Sequence, residues 1–323
     1  MRGIRIGLGV AEAGGVALDA LVGQIVAAEV AGFHSVWIPN IFGVDAMTLA
    51  ALGGKATSRI EIGTAVVPTY SRHPFYAAQQ ALTAQAACGG RLRLGIGPGH
   101  STVIEQGYGL RFDRLILHTR EYFAALRTLE TAKGPARFEG KTLRFDWELD
   151  VEGPRVPLYL SSLGEQMCRT AGRFADGLLP WLAPPTYVAQ TIVPEVRAGA
   201  RREGRPAPPI VMIMPCIHTT RREEVRAGVH AYLDFYPRFA AYAALLQRAG
   251  VPDAERAQES GWTDPMIDAV IPHGDQKALE ARFRAYFDAG VDELALLAVG
   301  VGADAQASVD RTWEVVAEIA RSR

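Results

Sequence analysis

Apolar residues return along this chain in two alternating rhythms. Short runs dense in Ile, Val and Leu, bounded by turn residues, predict strands at 4–9, 35–39, 60–67, 92–97, 156–161, 177–181, 210–217 and 293–299. Longer segments with apolar positions every three to four residues predict helices at 16–31, 45–55, 75–87, 113–129, 164–174, 185–202, 275–289 and 305–321. In the first helix Leu18, Leu21, Val22, Ile25, Val26 and Glu29 mark the inward stripe; in the fourth, Ile116, Phe123, Leu126 and Leu129 do. Two stretches break the rhythm. Residues 137–148 read as a small surface hairpin, and residues 223–271 as an insertion, helical at first and then turn-rich around Pro252 and Gly261.

Eight strands alternating strictly with eight helices predict an α/β fold of the (β/α)8 TIM-barrel type. The 323 residues then form one domain, with the insertion after the seventh strand. A doubly wound open sheet is disfavoured. Gly7-Leu-Gly-Val-Ala-Glu lacks the third glycine of a dinucleotide fingerprint and the acidic residue about 20 positions on.

Charge and composition narrow the function further. Lys plus Arg number 34 against 35 Asp plus Glu, a net charge of −1, which excludes nucleic-acid binding through bulk positive charge. Three scattered cysteines, Cys88, Cys168 and Cys216, cannot make a disulfide framework or a cysteine-rich metal site. No His-x-x-x-His spacing or paired-carboxylate pattern points to a metal, and no apolar run approaches the roughly 18 residues of a membrane span. The N-terminus runs directly into a strand with no leader-like segment, so a cytoplasmic protein is expected.

In a barrel the chemistry gathers at the C-terminal ends of the strands. Glu12 stands just past the first strand, where a carboxylate can act as general acid or base or be a solvated loop charge. Asn40, the only asparagine, follows the second strand. Gly63-Thr-Ala-Val-Val-Pro-Thr-Tyr-Ser-Arg-His-Pro leaves the third strand with small residues that let a flat ring lie near the backbone. His73 in that stretch reads as a structural residue leading into the third helix, and Arg72, Arg111 and Arg114 as surface charges that could also meet an anionic tail. His100 follows Gly95-Ile-Gly-Pro-Gly, where its imidazole can bond a ring edge or merely cap a turn. Ser161-Ser-Leu-Gly ends the fifth strand as a helix begins, a place for a phosphate or for an ordinary N-cap. Cys216 is expected to pack inside the barrel mouth.

The third-strand stretch resembles the signature of the bacterial luciferase-like superfamily, in particular its branch that uses the deazaflavin coenzyme F420. Ala31-Gly-Phe-His-Ser-Val-Trp-Ile-Pro, Arg91-Leu-Arg-Leu-Gly-Ile-Gly, Leu158-Tyr-Leu-Ser-Ser-Leu-Gly-Glu-Gln-Met, Ala171-Gly-Arg-Phe-Ala-Asp-Gly and Ala289-Gly-Val-Asp-Glu-Leu resemble other blocks of that family, in family order. The resemblance implies an F420-dependent oxidoreductase that moves a hydride between coenzyme and a small organic substrate. It implies the coenzyme phosphate on Ser161, Ser162, Leu163 and Gly164, and the ring near Asn40, Ala65, Val66 and His100. Glu12, from its place past the first strand, and His100 are the catalytic candidates, and the resemblance implies a homodimer. It also implies a non-prolyl cis peptide between Ala65 and Val66. Two alternatives stay open: a monooxygenase that uses reduced FMN to activate dioxygen, and a barrel that binds a flavin-like molecule without turnover. The aromatics of the insertion, Tyr232, Phe235, Tyr236, Phe239 and Trp262, suit either a lid over the mouth or a helical hairpin packed on the barrel.

Overall fold

The computed structural model describes residues 6–9, 17–132, 134–151 and 153–322. The chain runs β1 (Ile6–Gly9), α1 (Leu18–Ala31), β2 (Ser35–Ile38), α2 (Ala46–Ala56), β3 (Glu61–Thr64), β4 (Val67–Pro68), α3 (Pro74–Ala87), β5 (Leu92–Gly97) and α4 (Leu115–Thr131). A hairpin of β6 (Ala136–Glu139) and β7 (Arg144–Trp147) precedes β8 (Leu158–Ser161), α5 (Glu165–Phe174), β9 (Gly177–Leu179), α6 (Pro185–Tyr187) and α7 (Val193–Arg202). After β10 (Val211–Cys216) come α8 (Arg222–Leu233), α9 (Ala240–Arg248), α10 (Ala257–Ser260) and α11 (Asp264–Val270). The chain closes with α12 (Gln276–Asp288), β11 (Glu293–Ala298) and α13 (Ala305–Arg321). No helix among the described residues is long and apolar enough to cross a membrane.

The strands outside the hairpin form one parallel sheet in the order β10, β11, β1, β2, β3, β5, β8, β9, with β4 also on β5. The sheet curves as a half-barrel with the helices on its outer face. Alternation along each strand divides the core in two. Val36, Ile38, Leu94, Leu158, Leu160, Leu294 and Leu296 join the large outer cluster under the helices. Trp37, Tyr159, Leu179, Val211 and Ala295 make a smaller cluster on the inner face. The rings of Trp37 and Tyr159 meet edge to face, 5.4 Å apart. They fit because Gly63 and Gly177 face them: a Cβ would stand 2.2 Å from Trp37 at the first and 2.0 Å from Tyr159 at the second. The same alternation corrects the placement of Cys216. It lies two residues past Met214 in the outer, helix-covered cluster, while Val211 and Ile213 face inward.

A polar knot closes the N-terminal ends of the strands. Glu293, the first residue of β11, is 2% exposed and accepts hydrogen bonds from Ser35 and from Trp37 Nε1. Arg93 Nη1 meets its other oxygen at 2.8 Å, and Arg93 also pairs with Glu61. Burial alone would push the Glu293 carboxyl up. The Arg93 charge and the hydrogen bonds from Ser35, Arg93 and Trp37 outweigh it and hold the group below the usual carboxylate range.

Element boundaries depart from the sequence pattern where a local rule intervenes. The expected third strand, 60–67, is two strands. Gly63 pairs with Arg93 but Val67 with Ile96, so one side advances four residues while the other advances three, a β-bulge. The Ala65–Val66 peptide bond within it is cis, as the resemblance implied. The expected helix 185–202 is interrupted by a wide π-helical turn over Val188–Ile192. Pro194 has no N–H to return to the preceding turn, and the chain widens ahead of it. Glu29 does not join the apolar stripe of α1. Its carboxylate accepts from the backbone of Ser58, Arg59 and Ile60, and those bonds, chiefly from Ile60 and Arg59, lower its pKa to about 2.

Asp45 caps α2 rather than opening it: its side chain accepts from Thr48 N at 2.9 Å and holds Arg72 Nη2 at 2.7 Å. Removing a cap costs about 1 kcal/mol, and a partly exposed ion pair adds little. Asp45→Ala is therefore expected to lower stability by about 1 kcal/mol in urea unfolding, and Asp45→Asn, which still caps, by clearly less.

Candidate functional site

Three consecutive strands of the sheet bring the first predicted residues together. Gly97 ends β5, and a Cβ there would stand 2.8 Å from Val66 and 3.2 Å from Ser161. Val66 from the bulge and Ser161 from β8 thus flank a bare stretch of backbone, with Ala65 packed on the inner aromatic cluster. Thr64 ties the bulge to β5: its hydroxyl donates to Gly95 O at 2.8 Å and accepts from Gly95 N at 2.9 Å. Ala65 N in turn donates to Ile38 O at 2.7 Å, which sets it beside the end of β2.

The loop after β4 is gripped by α4. Thr69 N donates to Gly97 O, and the Thr69 hydroxyl lies 3.1 Å from His118 Nε2. The Tyr70 ring stacks on His118 with centroids 4.0 Å apart, and its hydroxyl donates to Asp113 O. Tyr122 donates to Arg72 O at 2.9 Å. His118 is 5% exposed, and burial pushes its pKa down to about 4 against the smaller opposing pull of Glu121, Thr69 and Asp113. Sequence reading passed over His118. The available signal was phase: it stands on the line of Tyr122, Ala125 and Leu129, all buried on α4.

Ser162 does not cap α5. Its hydroxyl lies 3.4 Å from Cys168 Sγ and 3.5 Å from Gly164 O, and α5 starts after Gly164, an N-cap position with no side-chain cap. The first N–H groups of a helix have no partner within it, so this start is a donor set open to an anion. Gly164 is exposed, and a Cβ on it would meet nothing within 4 Å. A charged residue there would change the local charge without crowding the backbone. Tyr187 donates to Leu163 O at 3.0 Å, and Arg248 from α9 neutralises Glu165 at 3.0 Å.

His100 is half-buried, and its ring stacks on Phe239 at 4.4 Å and 15°. Burial lowers its pKa, so the imidazole is neutral at neutral pH and offers one donor and one acceptor. Tyr236 packs beside Trp181, with ring centroids 5.7 Å apart, and against Tyr242 at 5.1 Å. Burial raises the Tyr236 phenol to about 12, tempered by the Trp181 side chain. The stretch between β10 and β11 thus sets an aromatic group against the strand ends that carry His100 and Trp181.

The other predicted residues make local contacts of their own. Asn40 Oδ1 accepts from Ala46 N at 3.0 Å, spanning from the end of β2 to the start of α2. His73 caps α3, its Nδ1 accepting from Phe75 N at 3.3 Å. Arg72 is held by Asp45, while Arg111 and Arg114 are exposed. Glu12 lies outside the described residues. Among the described residues no group of three or more His, Cys, Asp or Glu side chains is placed to hold a metal ion.

The family model described as luciferase-like monooxygenase matches residues 4–293. An F420-dependent glucose-6-phosphate dehydrogenase of Nakamurella multipartita is 31% identical over 302 residues, 85% of each chain. The coenzyme F420-dependent tetrahydromethanopterin reductase of Methanopyrus kandleri superposes with a TM-score of 0.80 at 22% identity, over 98% of both chains. The oxygenating constituent of diketocamphane monooxygenase from Pseudomonas putida, solved with FMN, superposes with a TM-score of 0.76 at 17% identity, again over 98% of both.

Proposed function

The chain belongs to the luciferase-like monooxygenase family, and from that premise we propose that it is an F420-dependent oxidoreductase acting on a small organic molecule. The observation that carries the reading is the uncapped start of α5 beside the bare backbone at Gly97, an anion site next to a flat floor. Relatives named for F420 favour that coenzyme over FMN. When bound, the deazaflavin would supply hydride transfer at its ring carbon.

The protein's own part is to hold, orient and exclude water. Ser161, Ser162, Leu163 and Gly164 would hold the phosphate through hydroxyl and backbone N–H groups. Ala65 and Val66 would back the ring, with Asn40 and His100 toward its polar edge. His100, neutral and half-buried, can bond a substrate oxygen, and Glu12 is a second candidate for moving the proton that accompanies the hydride. We read the sheet as closing into a (β/α)8 barrel, on the support of the parallel bridges Leu178–Ile210 and Trp181–Ile213 between β9 and β10. Helices α8 to α11 would then cover its mouth. A homodimer is the assembly we expect.

Titration of the pure protein with F420 and with FMN tests the reading. Micromolar or tighter F420 binding, with weaker FMN binding, is expected. Gly164→Asp sets a negative charge against the phosphate, and at least a tenfold loss of F420 affinity, about 1.4 kcal/mol, is expected with circular dichroism unchanged. The FMN-bound structural neighbour favours the second reading, a monooxygenase using reduced FMN. Tight FMN binding with oxygen consumption, and none for F420, would establish it instead.

A further inference from the structure

We propose that the substrate is an uncharged, predominantly apolar molecule, held by Trp181, Tyr236 and Phe239 beside His100. The proposal rests on the function proposed above and adds the substrate class to it.

The first observation is the aromatic group. Phe239 stacks on His100 and Trp181 packs on Tyr236. Such surfaces bind flat or aliphatic bodies by burying apolar area. A neighbouring apolar side chain remains open to solvent: Phe235, stacked on Tyr236, is 49% exposed.

The second observation is the charge account of the stretch that supplies Tyr236 and Phe239. Residues 219–273, which carry α8 to α11, contain no lysine. Each of their six arginines already meets a carboxylate: Arg221 with Glu224, Arg222 with Asp268, Arg226 with Asp264, Arg238 with Asp234, Arg248 with Glu165 and Arg256 with Asp253. His230 and His273 are likewise beside Asp234 and Asp268. An anionic substrate placed here would lose its water without gaining an uncommitted cation, and that desolvation is unfavourable. The start of α5 is taken by the coenzyme in the reading above. Arg111 and Arg114 lie exposed in the loop between β5 and α4, outside the aromatic group. The stretch therefore selects against a phosphorylated sugar, the substrate class for which the Nakamurella relative is named.

Binding of matched compounds tests this without turnover. Cyclohexanone, benzaldehyde and naphthaldehyde are each compared with a counterpart bearing a ring carboxylate and with one bearing a ring trimethylammonium, and glucose 6-phosphate is added to the set. Tryptophan fluorescence and calorimetry read the affinities, with the protein alone and with F420 added. At least one neutral compound is expected to bind tenfold more tightly than both of its charged counterparts and than glucose 6-phosphate. Phe239→Ala is expected to weaken it at least fivefold, and Phe239→Leu, which keeps the bulk, by less. If no neutral compound outbinds its charged counterparts, or if Phe239→Ala leaves the neutral affinity unchanged, the inference is overturned. The F420 titration is read separately. Failure to bind F420 overturns the coenzyme reading alone, and F420 binding with preferred glucose 6-phosphate overturns the substrate class alone.

Discussion

Glu293→Ala is expected to cost about 3–5 kcal/mol of folding stability, the largest effect of any substitution considered for this protein. The carboxylate is 2% exposed and faces Arg93, itself 6% exposed. Truncation leaves the guanidinium facing an apolar interior with one of its two carboxylate partners, Glu61, remaining. It also takes from Ser35 and Trp37 the acceptor they share. Replacing both charges by apolar residues of similar length removes the uncompensated ion, so Glu293→Met with Arg93→Met is expected to recover much of the loss. Urea unfolding of the two single variants and the double variant checks this. A loss below about 1 kcal/mol for Glu293→Ala would show that the pair contributes no more than an exposed one. F420 affinity is expected to hold in the folded fraction, because the pair lies at the N-terminal ends of the strands, opposite the site.

Acidification is expected to weaken the fold between about pH 6.5 and pH 4, through His118. The group is ordinary when unfolded, near 6.5, and its pKa is about 4 when buried against Thr69 and Tyr70. Between these values the unfolded chain binds the proton and the folded chain does not, so stability is complete above 6.5 and falls as pH falls toward 4. One pKa unit corresponds to about 1.4 kcal/mol, which bounds the loss at about 3 kcal/mol. Carboxylates with lowered pKa, such as Glu29 at about 2, lose their contribution in a lower window, from about 4.5 down. His118→Phe is expected to flatten stability against pH across 4 to 6.5, while wild type and variant run parallel below it. An unchanged slope in the variant would mean that the proton is taken up elsewhere, with His100, also lowered by burial, the first group to test. Because His118 holds the loop after β4, its protonation is also expected to loosen Thr69 and Tyr70 beside the proposed ring site.

How far the chain could be read depended on the range of each interaction. The strands were legible because buried parallel strands demand unbroken apolar runs. The 92–97 run became β5 without change, and the 305–321 pattern became α13. Proline and glycine at element ends were legible for the same local reason. The bulge at Ala65 was reached only through resemblance, since Gly63-Thr-Ala-Val-Val-Pro reads by itself as continuous strand. Cys216 was misplaced because a run apolar on both faces hides which face is which.

By itself the sequence determined the alternation of strand and helix, the hairpin, the insertion and the set of residues standing at strand ends. These follow from periodicity and turn chemistry, which act over a few residues. Only the tertiary structure decided which residues meet. Glu293 meets Ser35 across 258 positions and Arg93 across 200, and His100 finds Phe239 across 139. It also decided that Ser162 turns to Cys168, six residues on, rather than to the nearer N–H groups of the first turn, and leaves the start of α5 uncapped. Pairing of buried charges and the pKa of a buried imidazole depend on what packing removes from water, and no local pattern encodes that.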